Sequence, residues 1–303
     1  MFTAKSLSDK HNFDIQFGNY NFYQVLKCGK LTTVYLGEHR YFANKVVAKV
    51  LNTWVATDAH VESFYDEARL HAGLRHPNIV RVLDFGMQGR IPFMIMDYAT
   101  GGTLQDYCVP GMPLPLATIM PFILQIAAAL QYIHQHNLIH RDIKPQNIFL
   151  NAENEVWLSD FGISIAIQPW SRRRLHASVG TALYAAPEQI DGRPLTASDQ
   201  YALAVLIYTL LCGVPPFSGT SMQLCEQHMY ALPPALRSYT PTLPDDVEGV
   251  VLKALSKDPY ERFPSTQDFA CALQAAAHEY GPETEPALPV AITDQLAPLH
   301  IHS

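Results

Sequence analysis

The stretch His140-Arg141-Asp142-Ile143-Lys144-Pro145-Gln146-Asn147 constrains this chain more than any other. It packs a carboxylate, two fixed cations and an amide into eight residues, and Asp160, in Asp160-Phe161-Gly162, follows 18 positions after Asp142. The set suits phosphoryl transfer, in which there is little covalent chemistry for a protein to do. A carboxylate must orient the attacking hydroxyl and a cation must steady the moving phosphoryl group. An amide and a second carboxylate must hold Mg²⁺. Each residue is commonplace alone; order and spacing carry the reading.

The rest of the chain sets the frame. A length of 303 residues implies two domains, or one domain of two lobes, and 48% hydrophobic residues allow a large core. Charged residues make up 16%, against about 25% in an ordinary soluble protein, so few surface salt networks are expected. A net charge of −7 argues against a general nucleic-acid-binding role, which needs a basic face. Cys28, Cys108, Cys212, Cys225 and Cys271 form no CxxC pair, which reads as reduced thiols in a cytoplasmic protein. No apolar stretch follows Met1-Phe2-Thr3-Ala4-Lys5, so no signal peptide is expected. The longest apolar run, 202–214, is too short to span a bilayer and reads as a buried helix.

Along the chain, 1–18 is polar and irregular. Three β-rich runs follow, 22–26, 33–36 and 45–51, and predict an antiparallel meander. Lys49 is a charge inside the third; alone it reads as an edge lysine reaching solvent. A helical stretch covers 61–74 and another apolar strand 91–98, and Thr100-Gly101-Gly102-Thr103-Leu104 breaks the pattern. After a loop at 109–115, Ile119, Phe122, Ile123, Ile126, Ala127, Leu130 and Ile133 keep helical spacing. His134 and His136 read as helix-end polar residues, with metal binding the minority reading. Residues 155–159 suit a strand, and helical spacing recurs over 247–255 and 266–277. The chain then turns proline- and acid-rich.

The loop from His140 to Asn147 and the Asp160-Phe161-Gly162 triplet resemble the catalytic loop and metal motif of eukaryotic-type (Hanks-type) Ser/Thr protein kinases. The phrases at 180–189 and 198–201 are most similar to bacterial members. The resemblance runs from about Tyr20 to Ala277. It implies an α+β, bilobal protein-kinase fold: an antiparallel β N-lobe with one helix (19–98) and a mostly α-helical C-lobe (99–277). A lead-in (1–18) and a flexible tail (278–303) flank them. It implies transfer of the γ-phosphoryl group of ATP, with Mg²⁺, to Ser or Thr hydroxyls of protein substrates. Asp142 would orient the hydroxyl, Lys144 neutralise the γ-phosphate, and Asn147 and Asp160 hold the metal. Lys144 with Gly180-Thr181 favours Ser/Thr over Tyr acceptors, and Thr181 is expected near Asp142.

The nucleotide would meet Gly29, Val34, Val47, Lys49 paired with Glu67, Met96 at the back of the pocket, a hinge at Asp97, Tyr98 and Ala99, and Phe149 under the adenine. For each side chain of the 91–98 strand taken alone, a plain core role is equally good. Asp199 would anchor the catalytic loop, against a simple helix-start acid, and Arg262 would pair with Glu188. No membrane span and no nucleic-acid partner are implied, and self-association would serve autophosphorylation.

Departures keep other readings open. The glycine-rich turn keeps only Gly29, with Lys27 and Thr32 where glycines belong, which stiffens the turn. Lys27 and Lys30 partly offset this by drawing phosphate. Weaker or slower nucleotide binding is expected, and a pseudokinase or scaffold is the alternative reading. A small-molecule kinase of similar fold is a third, opposed by Ala186-Pro187-Glu188 and Arg262. In the segment from Gly162 to Glu188, Ser171 and Ser178 are candidate control phosphosites. Arg172-Arg173-Arg174 reads either as a solvated face or as a substitute for phosphate-driven ordering.

Overall fold

Alternation along Lys45–Leu51 shows how the first sheet is built. Val46, Ala48 and Val50 are buried on one face, while Lys45, Val47 and Lys49 stand on the other. In a computed structural model, which describes residues 15–160 and 179–278, this run is β4. It belongs to a six-stranded antiparallel sheet with β1 (Ile15–Phe17), β2 (Tyr20–Cys28), β3 (Thr32–His39), β5 (Val82–Gln88) and β6 (Ile91–Asp97), in the order β1-β2-β3-β4-β6-β5. Phe17, Phe22, Val46, Ala48, Phe93 and Ile95 pack on one side of the sheet.

The helix α1 (Asp58–Gly73) packs Phe64 and Ala68 against Leu51, Val80, Met94 and Met96. It starts three residues earlier than the apolar spacing suggested, because Thr57 caps it: the Thr57 backbone N–H donates to His60 Nδ1 at 3.0 Å. Two further boundaries differ from the sequence reading. β1 pairs with β2 inside the expected lead-in, and β5 has no counterpart among the predicted runs.

The second lobe is helical: α2 (Leu116–Gln135), two short turns α3 (Val179–Ala182) and α4 (Pro187–Ile190), α5 (Thr196–Cys212), α6 (Ser221–Tyr230), α7 (Asp245–Ala254) and α8 (Thr266–His278). Ile119, Ile123, Ile126, Leu130 and Ile133 of α2 are almost fully buried, each contributing about 1.5–3 kcal/mol of transfer free energy. By length and composition α2 could also cross a membrane, but here it packs against α5 and α8 in the lobe's core. Helix α5 is buried all round, from Tyr201 to Ile207. It stops at Gly213, whose φ of 71° is the left-handed conformation that glycine adopts freely and whose N–H bonds Thr209 O at 2.9 Å.

The lobes meet through backbone. The Val80 N–H donates to Leu158 O and the Leu158 N–H to Asn78 O, both at 2.9 Å, joining the sheet side to the hairpin of β7 (Ile148–Leu150) and β8 (Val156–Leu158). Of the expected tail, only His278 is described, and it is helical. Phe161, Gly162, Ser164, Ser171, Ser178 and Arg172 to Arg174 lie outside the described residues.

Candidate active site

A backbone held in an uncommon conformation presents the central carboxylate. Arg141 has a φ of 67°, a left-handed region that costs a non-glycine residue on the order of 1 kcal/mol or more. Asp199, buried at the start of α5, fixes it by accepting the N–H groups of His140 and Arg141, each at 2.8 Å. His134 Nε2 approaches the same carboxylate at 2.7 Å. Burial pushes the Asp199 carboxyl up, but His134, His140 and the Arg141 N–H outweigh it and hold the group below the usual carboxylate range. His134 is therefore a ligand of the loop's anchor and not an ordinary helix-end residue.

His140 joins the two acidic motifs. It is fully buried, and burial pushes its imidazole pKa down against the opposing pull of nearby carboxylates. Nε2–H donates to Ser159 O at 3.1 Å, and Nδ1 accepts the Asp142 N–H at 3.3 Å. A single ring thus sets the distance between the Asp142 loop and the residue before Asp160.

Beyond it, Lys144 Nζ reaches both Asp142 oxygens, at 2.7 and 2.9 Å. The turn Pro145–Asn147 brings Asn147 back so that Nδ2 donates to Asp142 Oδ2 and Asp142 O, each at 2.8 Å. Asn147 Oδ1 accepts no hydrogen bond among the described residues and remains a hard oxygen donor. Together with the Asp160 carboxylate it fits a small divalent cation that takes its other ligands from phosphate and water.

The opposite wall is the sheet. Lys49 Nζ lies 2.6 Å from Glu67 Oε1 and 3.3 Å from Asp160 Oδ1. Burial works against the lysine's charge, but the two carboxylates more than reverse it and raise its pKa. Burial likewise pushes Asp160 up, and Lys49, Lys27 and Lys144 together pull it below its ordinary value. Asp160 also sits in the left-handed region, at φ 56°.

Against the sheet lies a cleft of about 370 Å³, which Gln146, Ser159 and Asp160 line and Asp142, Lys144 and Asn147 do not. Of the expected nucleotide contacts, Val34, Val47, Lys49, Met96, Asp97, Tyr98, Ala99 and Phe149 line it. Glu67 stands behind Lys49, and Gly29 is at the tip of the β2–β3 turn, outside the lining. Lys27 faces the cleft and Lys30 does not. Leu26, Val80, Thr103, Gln105, Gln146 and Ser159 complete the wall; Gln146 and Ser159 adjoin expected residues in the chain, and the other four carry no such signal.

Thr181, in α3, makes no hydrogen bond to Asp142 or Lys144 among the described residues. The Glu188–Arg262 pair forms as expected and is bidentate, at 2.8 and 2.9 Å, with the arginine side chain fully buried. A larger groove of about 800 Å³ in the helical lobe shares no lining residue with the cleft and has His278 as its titratable group.

A family model described as "Protein kinase domain" matches residues 20–280. The chain is 33% identical to serine/threonine-protein kinase PrkC of Bacillus subtilis, over 86% of this chain and 40% of the relative. It is 34% identical to serine/threonine-protein kinase PknB of Mycobacterium leprae, over 97% and 46%. It is 36% identical to serine/threonine-protein kinase pkn2 of Myxococcus xanthus, over 86% and 32%. The chain thus spans less than half the length of these curated relatives. With a bilobal α+β architecture and a cleft of this composition, it belongs to the protein kinase family, among the Hanks-type, bacterial-like serine/threonine members.

Proposed function

We propose that this protein transfers the γ-phosphoryl group of ATP to serine or threonine hydroxyls of protein substrates in the cytoplasm. One observation carries the reading: Lys49, bonded to Glu67 and Asp160, lines a cleft that Gln146 also lines, and Asn147, next to Gln146 in the chain, bonds the Asp142 that Lys144 holds. Lys49 holds the inner phosphates, and Glu67 keeps the lysine from swinging away. Asp142 orients the acceptor hydroxyl and takes its proton; an ordinary carboxylate suffices because the loose transition state needs positioning more than basicity. Lys144, held against Asp142, neutralises charge on the moving phosphoryl oxygens. Asn147 and Asp160 would hold Mg²⁺, which supplies charge neutralisation at the phosphates.

The complete Lys49–Glu67–Asp160 set opposes the scaffold reading that the remodelled glycine turn had raised. We read 19–98 and 99–277 as the two lobes, with the substrate protein docking on the second. Autophosphorylation between two copies is the self-association this reading admits. Incubation with labelled ATP and Mg²⁺ should label a protein substrate or the chain itself, with the label lost in Asp142→Asn. Equal label in that variant, or none in the wild type, would refute the assignment.

A further inference from the structure

Three side chains form a row across the sheet. Lys27 of β2 lies opposite Val34 of β3, and Val34 lies opposite Lys49 of β4. Directly paired residues of antiparallel strands project to the same face. The two lysines therefore stand on one face, two strand spacings or about 10 Å apart, with Val34 between them. All three line the cleft.

A local irregularity brings Lys27 there. Val25 opposes Tyr35 while Lys27 opposes Val34, so Leu26 is an extra residue in β2. Such a bulge re-aims side chains, and both Leu26 and Lys27 line the cleft. Lys27 is exposed and has no carboxylate partner at salt-bridge distance among the described residues.

The turn beside it is closed on itself. The Gly29 N–H donates to Thr32 O at 2.9 Å, and a Cβ at Gly29 would come within 2.9 Å of that oxygen. Asn52 bolts the tip: its N–H donates to Leu31 O at 2.8 Å, and its Nδ2 to Gly29 O at 2.9 Å and Lys30 O at 3.3 Å. Its Oδ1 accepts from Thr33 Oγ1 at 2.9 Å. The amide that an open glycine loop would offer to phosphate is thus spent inside the turn.

We propose that Lys27 is a second phosphate-binding cation of the cleft, gripping a nucleoside triphosphate from the sheet side where loop amides would otherwise do so. The inference rests on the cleft being the nucleotide site. Its consequence is that affinity follows phosphate charge: Lys27 contributes to a triphosphate, less to a diphosphate and nothing to the bare nucleoside.

Calorimetric titration of the full chain with ATP, ADP and adenosine, for the wild type, Lys27→Met and Lys27→Arg, tests this. Lys27→Met should weaken ATP about tenfold, ADP less and adenosine not at all, while Lys27→Arg stays within about twofold of the wild type. Raised salt should narrow the gap between wild type and Lys27→Met for ATP. Unchanged ATP binding in Lys27→Met overturns the proposal and leaves the nucleotide site standing. Equal losses for ATP and adenosine also overturn it, because the lysine would then act through the fold. A wild type that binds neither ATP nor adenosine overturns the cleft assignment and this proposal together.

Discussion

Replacing Asp199 with asparagine should uncouple the catalytic loop from the core without touching the nucleotide wall. The carboxylate accepts three bonds, from the His140 and Arg141 N–H groups and from His134. An amide keeps one oxygen and turns an N–H₂ group toward a donor. Losing a charge-assisted bond costs about 1.5–3 kcal/mol, and leaving a buried donor unpaired costs about 1–3 more. Arg141, at φ 67°, then has less to hold it in its uncommon conformation. A loss of roughly 3–4 kcal/mol follows, or about 6–12 °C in melting temperature for a chain of this size.

The carboxyl of Asp142 follows the shifted backbone, and a misplacement near 1 Å costs about a hundredfold in rate. Scanning calorimetry with steady-state kinetics reads both effects. The expected result is a kcat lowered about a hundredfold and a KM for ATP changed little, because Lys49 and the hinge are untouched. A variant that keeps both its melting temperature and its kcat would refute the anchoring argument.

Asn52→Ala removes the side-chain bolts of the β2–β3 turn. Each such bond is worth about 1 kcal/mol, so the KM for ATP should rise about three- to tenfold with only a small fall in melting temperature; an unchanged KM would mean the turn is held by its strands alone. Arg262→Met leaves Glu188 buried without its partner. It should cost about 3–5 kcal/mol in denaturant unfolding, and adding Glu188→Gln should recover part of it; additive losses would contradict a coupled pair.

Acid should destabilise the fold through its buried histidines. His71, bonded to Val80 O at 2.7 Å, is pushed by burial down to about 4 from an ordinary 6.5. Between those values the unfolded chain binds the extra proton, so stability is full above pH 6.5 and is lost as pH falls toward 4. Melting temperatures across that window should fall with pH, less steeply in His71→Gln; identical slopes would exclude the histidine.

Elements with a clear period were legible. β2, β3, β4 and α2 announce themselves by alternation or by three-and-four spacing, and the composition of the 140–147 loop announces its chemistry. Long-range partnerships were partly legible. Arg262 and Glu188 are 74 positions apart, and only a family pattern joins them. His134 and Asp199, 65 apart, carry no local sign at all, since a histidine at a helix end looks the same whether it faces water or a buried acid. β5 was missed because Asp84, Gly86 and Gln88 interrupt its apolar residues. The direction of Lys27 was hidden for a different reason: one extra residue, Leu26, changes which face the strand presents, and a bulge leaves no mark in residue order.

The central claim is that two acids, an amide and a strand lysine act on one triphosphate. A crystal structure with a non-hydrolysable ATP analogue and Mn²⁺ in place of Mg²⁺ tests it most directly, through the anomalous signal of the metal. The metal peak should lie within bonding distance of Asn147 Oδ1 and the Asp160 carboxylate, with Lys49 Nζ on the inner phosphates. A nucleotide seated elsewhere, or a metal that ignores Asp160, would contradict it.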